Sequence, residues 1–559
     1  MKILKLLLMV SFLLVVSCKP IPQEVQLVLE KAGSNRVELE KVIDHYKISG
    51  EKNKLEAAYF LIRNIEGKYS EYYIYNEKAH EIFYQGKRPK IDRVKFNSEM
   101  TQMIDSLKSV SVLSPLVISD LEAITASYLI GNIDLAFEVW KEPWAQHFTF
   151  DEFCEYVLPY RIANEPLSDW RKEFYDKYKW VKDSVSNVED TREVVLYLND
   201  LVGMDFWVED FLELPYVPIT LLDKVKAGGC NQRYLLMISI LRAMGIPAML
   251  DHAPLQNNTY KAHSWTVYIN SKHEFCPFDG GRPRRKLFES DNLPRAFLDS
   301  MMIPLADGFG SNVFRYTFSN NKDCLGAKTK DWSSIPSLFR TEGMRNVTKD
   351  YLFDQVEELK YTFDTDCDIA DSIVYLSVFG YGPNIREADW AIVKDFEVSF
   401  SNIGTEAVYL ISLYKDKSLI PISQPILLQD SIKTILIPDF SNEQKLVLTR
   451  KSNVSLLMQG YANAMIGSVF EGSNELDFKD SDILYRIESA PTFLEEGPVN
   501  TDEKYRYVRY YSPEKDIRVA ELEFWGENKL SGTPISYIIK DSISSESAPS
   551  TCLDGDIRT

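Results

Sequence analysis

The sequence predicts a multidomain α+β protein, with a helical N-terminal region, a mixed α+β domain in the middle and β-sandwich domains toward the C-terminus. Three observations predict it. First, the chain has 559 residues, 45% apolar and 26% charged, which is globular in composition and too long for a single core. Second, apolar residues recur at helical spacing up to about Trp144, then in short alternating runs after about Trp332. Third, the stretch from Gly228 to Gly281 strings together a glycine turn, an apolar helix and a β-hairpin. Cys230, His263 and Asp279 sit at its joints. The formal net charge of −19 argues against a nucleic-acid partner, because phosphate binding needs a concentrated basic face.

In chain order, residues 1–17 read as a secretory signal. Lys2 and Lys5 precede an apolar core, Leu6 to Val16, that is too short to span a bilayer. Its end, Val15-Val16-Ser17-Cys18, resembles a bacterial lipobox. That resemblance implies cleavage before Cys18, lipidation of Cys18, and anchoring to the outer membrane in the envelope of a Gram-negative cell. An ordinary cleaved signal with a chance Cys is the alternative. Residues 19–150 read as mostly helical. Asn35 is placed to cap a helix carrying Val37, Val42, Ile43 and Tyr46, and Gly50 ends it. Further helices are expected over Leu55 to Ile65 and Met100 to Val112. His45 and His80 are isolated and read as surface or capping residues.

Residues 151–331 carry the chemistry. Gly228 and Gly229 allow a sharp turn and close approach of backbone to a ligand. Cys230 follows at the start of a helix, Tyr234 to Met244, where free N–H groups and the helix dipole favour a thiolate. Thr266 to Ile269 and Phe275 to Phe278 read as the strands of a hairpin, with a turn at Asn270-Ser271-Lys272-His273. If the hairpin is centred near Ser271, His263 and Asp279 are cross-strand partners on one face, and the carboxylate can orient the imidazole.

This stretch resembles the transglutaminase-like superfamily, the papain-related group of thiol enzymes. The resemblance rests on Gly-Gly-Cys at a helix start, Leu-Arg-Ala-Met-Gly-Ile-Pro at 241–247, His263-Ser264-Trp265 and Phe278-Asp279. It implies Cys230 as nucleophile, His263 as general base and acid, and Asp279 as the orienting carboxylate, with Gly229, Asn231 and Trp265 near the site. No cofactor and no metal are expected. Animal transglutaminases carry Trp directly after the Cys where this chain has Asn231, which leaves hydrolysis more open than cross-linking. Upstream, Leu158-Pro159-Tyr160-Arg161 and Trp170-Arg171 resemble signatures of exported proteins of the Bacteroidetes type. Arg161 and Glu165 either line a substrate cleft or form a buried pair fixing the helical region to the thiol domain. Trp207 and Tyr216 form a cleft wall or simply core.

Two rival constellations exist. Asp251-His252 follows an apolar strand, and only one of these neighbours can face the cleft. His252 is therefore the alternative base. Cys230, His252, His263 and Cys276 match no familiar zinc spacing. Among the remaining cysteines, Cys154 and Cys276 read as buried core thiols. The run Arg282-Pro283-Arg284-Arg285-Lys286 reads as a solvated loop or an anion-holding edge.

Residues 332–450 read as a β-sandwich, with strands at Ile373 to Phe379, Phe396 to Phe400, Ala407 to Leu413, Thr434 to Ile437 and Lys445 to Leu448. Residues 451–530 form a further β unit. Tyr505 to Tyr510 and Val519 to Phe524 resemble closing strands of discoidin-like jelly rolls. Residues 531–559 read as the start of an incomplete module of that kind or a disordered tail. The combined expectation is a lipid-anchored envelope protein whose Cys230–His263–Asp279 domain acts on amide bonds of peptides or proteins. The alternative is a catalytically idle thiol fold in a protein that binds a surface glycan or protein through its β domains.

Overall fold

A computed structural model describes residues 20–72, 116–203, 207–208, 218–225, 227–228, 230–256, 261–278, 280–281, 312–352, 356–364, 369, 371–380, 385–405, 407–429, 432–441, 445, 456–491, 497–499, 501–512 and 522–525. It is a multidomain α+β protein that divides into two compact units, Met1–Pro438 and Asp439–Thr559.

The first unit opens with helices α1 (Gln23–Lys31), α2 (Arg36–Ser49) and α3 (Lys52–Arg63). A two-stranded antiparallel pair follows, β1 (Tyr69–Tyr72) with β2 (Leu116–Ser119), then α4 (Asp120–Ala123), α5 (Ala126–Val139) and α6 (Phe150–Tyr156). Val25, Leu39, Ile43, Leu61, Leu129 and Phe153 from these helices share one core. Gly50 ends α2 at φ 74°, a left-handed conformation that glycine adopts without strain. Asn35 does not cap α2. The chain enters α2 from a 3-10 turn, so Asn35 is already helical, and its Nδ2 instead donates to the carbonyls of Leu121 (3.1 Å) and Ile124 (3.0 Å). The expected helix over Met100 to Val112, and His80, lie outside the described residues.

Arg161 is buried, but its carboxylate partner is Asp120 rather than Glu165. Its Nη2 and Nε donate to Asp120 at 2.6 and 2.7 Å, and Tyr160 donates to the same carboxylate at 2.9 Å. The Glu165 carboxylate instead accepts the backbone N–H groups of Ile162 (2.7 Å) and Ala163 (2.8 Å), three and two residues upstream. The short loop bends Glu165 back on its own backbone, which leaves Arg161 free to reach α4.

Helices α7 (Trp170–Tyr178) and α8 (Thr191–Gly203) come next, followed by β3 (Trp207–Val208), α9 (Ile219–Val225), β4 (Ala227–Gly228) and α10 (Cys230–Ala243). Strands β5 (Ala248–Gln256), β6 (Lys261–Ile269), β7 (Phe275–Phe278) and β8 (Phe314–Tyr316) then lead to α11 (Leu325–Lys328) and β9 (Met344–Asn346). These last five strands form one antiparallel sheet in the order β7-β6-β5-β8-β9, and α10 packs on β5 and β6. Two buried arginines hold the helical region to this domain through backbone carbonyls. Arg171 donates to Val157 O (2.8 Å), Pro159 O (3.1 Å) and Arg242 O (2.8 Å), and Arg242 donates to Arg161 O (2.9 Å) and Ala248 O (2.9 Å). The Leu-Pro-Tyr-Arg and Trp-Arg runs are therefore the joint between helical region and sheet.

After α12 (Thr348–Leu352) the elements of the first unit among the described residues are strands: β10 (Val356–Thr362), β11 (Ile373–Phe379), β12 (Ile385–Ile392), β13 (Glu397–Gly404), β14 (Ala407–Lys415), β15 (Ser418–Pro421), β16 (Ile426–Gln429) and β17 (Ile432–Ile435). β10 pairs β13, and the other six strands form a second antiparallel sheet. Leu359 and Phe400 of the first sheet meet Val374, Leu376, Tyr409 and Ile411 of the second in a common core, the arrangement of a sandwich. The expected strand at Lys445 to Leu448 lies largely outside the described residues. In the second unit, α13 (Leu456–Ala464) precedes β18 (Val469–Ser473), β19 (Asp482–Arg486) and β20 (Tyr507–Tyr511), with β18 between the other two. Most of the expected strand at Val519 to Phe524 lies outside the described residues. No helix among the described residues is long and apolar enough to cross a membrane.

Removing one partner of a buried ion pair leaves the other uncompensated, at a cost of about 3–5 kcal/mol. Asp120→Asn should therefore lower stability, read from the urea midpoint of unit-one unfolding, by about that amount. A loss no larger than that of Glu165→Gln would contradict Asp120 as the partner of Arg161.

Candidate functional site

Residue 230 opens α10, the most buried helix of the domain. Tyr234, Leu235, Leu236, Met237, Ile238, Ile240 and Leu241 are all in the core, so apolar side chains run around the helix and it is enclosed on all sides. The helix ends in a Schellman motif. Ile246 N donates to Leu241 O at 2.9 Å and Gly245 N to Arg242 O at 3.1 Å, with Gly245 at φ 78°. A Cβ at Gly245 would lie 2.5 Å from Val139 O, so the Gly-Ile-Pro stop is required by packing as well as by conformation. At the other end, β4 pairs parallel with β3, Trp207 against Ala227, and delivers the chain to the first turn of α10. In that turn Asn231 is exposed, whereas Gln232 and Arg233 are buried. The side chain of Cys230 lies outside the described residues, as do Gly229, Tyr216 and the side chain of Trp207.

His263 lies on β6 opposite Ala253 of β5. Its imidazole is partly exposed and sits between two rings. Trp265 stacks on it with centroids 6.0 Å apart, and Tyr234 meets it edge-on at 6.1 Å. Tyr234 is one helical turn beyond residue 230, so the helix that Cys230 opens reaches the strand that carries His263.

The hairpin is displaced from the expected register. Thr266 pairs with Phe278 and Ile269 with Phe275, which centres the turn on Lys272 rather than Ser271. The loop is the five residues Asn270 to Glu274, with His273 at a left-handed φ of 63°, so its midpoint is Lys272. Asn270 closes that loop, its Oδ1 accepting from Lys272 N (2.9 Å) and Glu274 N (3.0 Å). A direct cross-strand pairing of His263 with position 279 therefore does not follow from the ladder. The displacement is by two residues and preserves which face each residue takes. Asp279 lies outside the described residues, as does the run Arg282 to Lys286. Beyond β7, Gly281 N donates to Asn199 Oδ1 of α8 at 2.6 Å. A Cβ at Gly281 (φ 76°) would fall 2.7 Å from Arg233 Cγ in the first turn of α10. The chain leaving β7 is thus pressed against the start of α10, and only glycine fits there.

Asp251 is committed elsewhere. It is 0% exposed and accepts a forked pair from Arg315 Nε and Nη2, both at 2.9 Å. Tyr351 of α12 also donates to it, at 2.6 Å, and the Trp265 indole N–H donates to the Tyr351 hydroxyl at 2.8 Å. His252 faces the other side of the sheet, where its Nδ1 is 2.9 Å from Ser264 Oγ. Burial, with the charges of His263 and Arg386, pushes the His252 pKa down to about 4. His252 is thus neutral near pH 7 and lies on the face away from His263. No cluster able to hold a metal ion is found among the described residues. Cys154 is buried in the helical core, where burial pushes its thiol up to about 12. Cys276 differs from the expected buried thiol in being half-exposed on β7, and burial still raises its pKa. The tie from Trp265 through Tyr351 to Asp251 is not readable from motif spacing, because Tyr351 is 86 residues beyond Trp265.

No family profile matches the chain, and no curated protein matches it. Among solved structures, a candidate cysteine protease from Cytophaga hutchinsonii matches at 18% identity and a TM-score of 0.16. That match covers 20% of this chain and 41% of the other, so the chain spans less than half the length of the structure it matches.

The depressed pKa of His252 sets a pH dependence. Between its unfolded value of about 6.5 and its folded value of about 4, the unfolded chain binds more protons, so stability falls as pH drops through that window. His252→Asn, which does not titrate, should flatten the fall in melting temperature between about pH 6.5 and pH 4. An unchanged slope would show that His252 is not the group responsible.

Proposed function

We propose that this chain is a lipid-anchored protein of the Gram-negative cell envelope whose α+β domain uses Cys230, His263 and Asp279 to cleave amide bonds of peptides or proteins. The observation that carries the proposal is the contact between Tyr234 of α10 and His263 of β6, which joins the helix opened by Cys230 to the strand bearing the histidine. The helix start favours a thiolate at residue 230, and the imidazolium beside a thiolate is favoured in return.

In the proposed reaction the Cys230 thiolate attacks the amide carbonyl carbon. The backbone N–H of Cys230 donates to the oxyanion as it forms. The C–N bond breaks as His263 gives its proton to the leaving amine, which leaves a thioester on Cys230. Water then attacks the thioester and loses a proton to His263. The C–S bond then breaks, which releases a carboxylic acid and restores the thiolate–imidazolium pair. Asp279 is assigned to hold the imidazole. The exposed, polar Asn231 beside the nucleophile supports water over a bulky amine as acceptor. The envelope assignment rests on the apolar run Leu6 to Val16 ending at Ser17-Cys18.

A second proposal is a thiol fold without turnover in a protein that binds glycans through its β units. It is supported by aromatic exposure in the second unit, where Trp525 is 66% and Tyr511 49% exposed.

Cys230→Ala and His263→Ala should each reduce hydrolysis of a fluorogenic peptide library by at least about 10³-fold, while the melting temperature stays within a few degrees of the parent. Incorporation of a fluorescent primary amine should remain a minor product. Full activity in Cys230→Ala would overturn the first proposal, and no activity in the parent alongside binding on a glycan array would favour the second.

A further inference from the structure

We infer that Tyr351 is a positioning residue for His263, acting through Trp265 from a buried polar chain that ends in the Asp251–Arg315 pair. The inference rests on the assignment of Cys230 and His263 as a catalytic pair and adds to it a part drawn from a distant helix.

The direction of each hydrogen bond follows from chemistry. An indole N–H only donates, so at 2.8 Å the Tyr351 oxygen accepts from Trp265 Nε1. The tyrosine must then direct its own proton to Asp251 Oδ2, 2.6 Å away. Asp251 also accepts the Arg315 fork, at 2.9 Å on each oxygen. Asp251 lies opposite Trp265 on β6 and opposite Arg315 on β8, so a single cross-strand row carries all three side chains on one face. All four members are buried. The Trp265 indole is thus fixed at its nitrogen, and its ring forms one wall against the His263 imidazole, at an interplanar angle of 29°. Tyr234 forms the other wall at 86°. Packing alone would keep a phenyl ring in place. A hydrogen bond to a single buried acceptor also sets the tilt of the indole, and hence the direction in which His263 can point.

Loss of the Tyr351 hydroxyl leaves the indole N–H and one lobe of the Asp251 carboxylate without that partner, so the indole is free to turn and the imidazole to leave the thiolate. The test is the titration of His263 by NMR in protein labelled at histidine Cε1 and lacking residues 1–18. With only six histidines in the chain, the signal is assigned from its loss in His263→Ala. Cys230→Ser should lower the His263 pKa by about one unit or more, since the thiolate that favours the imidazolium is gone. Tyr351→Phe should lower it toward the ordinary value of about 6.5, with Cys230 intact. Trp265→Phe, which removes the indole N–H but keeps a ring beside His263, should do the same and serves if Tyr351→Phe does not fold. A His263 pKa that responds to Cys230→Ser but not to a folded Tyr351→Phe or Trp265→Phe would overturn the positioning role alone. A His263 pKa indifferent to Cys230→Ser would overturn the Cys230–His263 pair and the positioning role with it.

Discussion

A carboxylate with no exposed surface, in the middle of a sheet, must be paired, and the arrangement around Asp251 follows from that requirement. Arg315 answers its charge from the neighbouring strand and lies over the Phe275 ring at 4.1 Å, so the pair also closes against the hairpin. Tyr351 supplies the third hydrogen bond and, through its oxygen, fixes Trp265. Strand β8 and helix α12 come from well beyond the hairpin, yet they complete the face on which His263 is placed. The candidate site is therefore built by the whole sheet rather than by the stretch from Gly228 to Gly281 alone.

A second constraint is close approach of backbone. Gly245 lets α10 end against Val139 O, and Gly281 lets the chain leaving β7 lie on Arg233. Any Cβ at either point would push apart elements that must touch. These two glycines fix both ends of α10, and with them the position of residue 230 relative to β6. The buried arginines Arg171 and Arg242 extend the same logic outward, tying loops of the helical region to the C-terminal end of α10 through carbonyl oxygens rather than carboxylates.

Much of this was legible in the sequence where the signal is local. An apolar helix stopped by Gly-Ile-Pro, a hairpin with Asn at its turn, and strands of alternating pattern after Trp332 each depend on residues a few positions apart. The pairing register differs by two residues from the expected one because a centre at Ser271 follows from a four-residue turn, Asn270 to His273, whereas Glu274 also belongs to the loop that Asn270 closes. Of the two readings of Arg161, the buried pair is the one found, but with Asp120, 41 residues away, in place of the nearby Glu165. Strand alternation alone shows that Asp251 and His252 cannot share a face. What separates them, an ion pair to Arg315 on one side and Ser264 on the other, depends on strand neighbours that no spacing reveals. Tyr351 had no local signal at all.

The central claim is that Cys230 is an activated thiol paired with His263, and it is tested most directly by the pH dependence of alkylation at each cysteine, read by peptide mass spectrometry. The account predicts that Cys230 labels fastest, that its labelling persists well below the free-thiol pKa of about 8.5, and that His263→Ala moves the profile up toward that value. Labelling of Cys230 that rises only near about pH 8.5 and is the same in His263→Ala would contradict it.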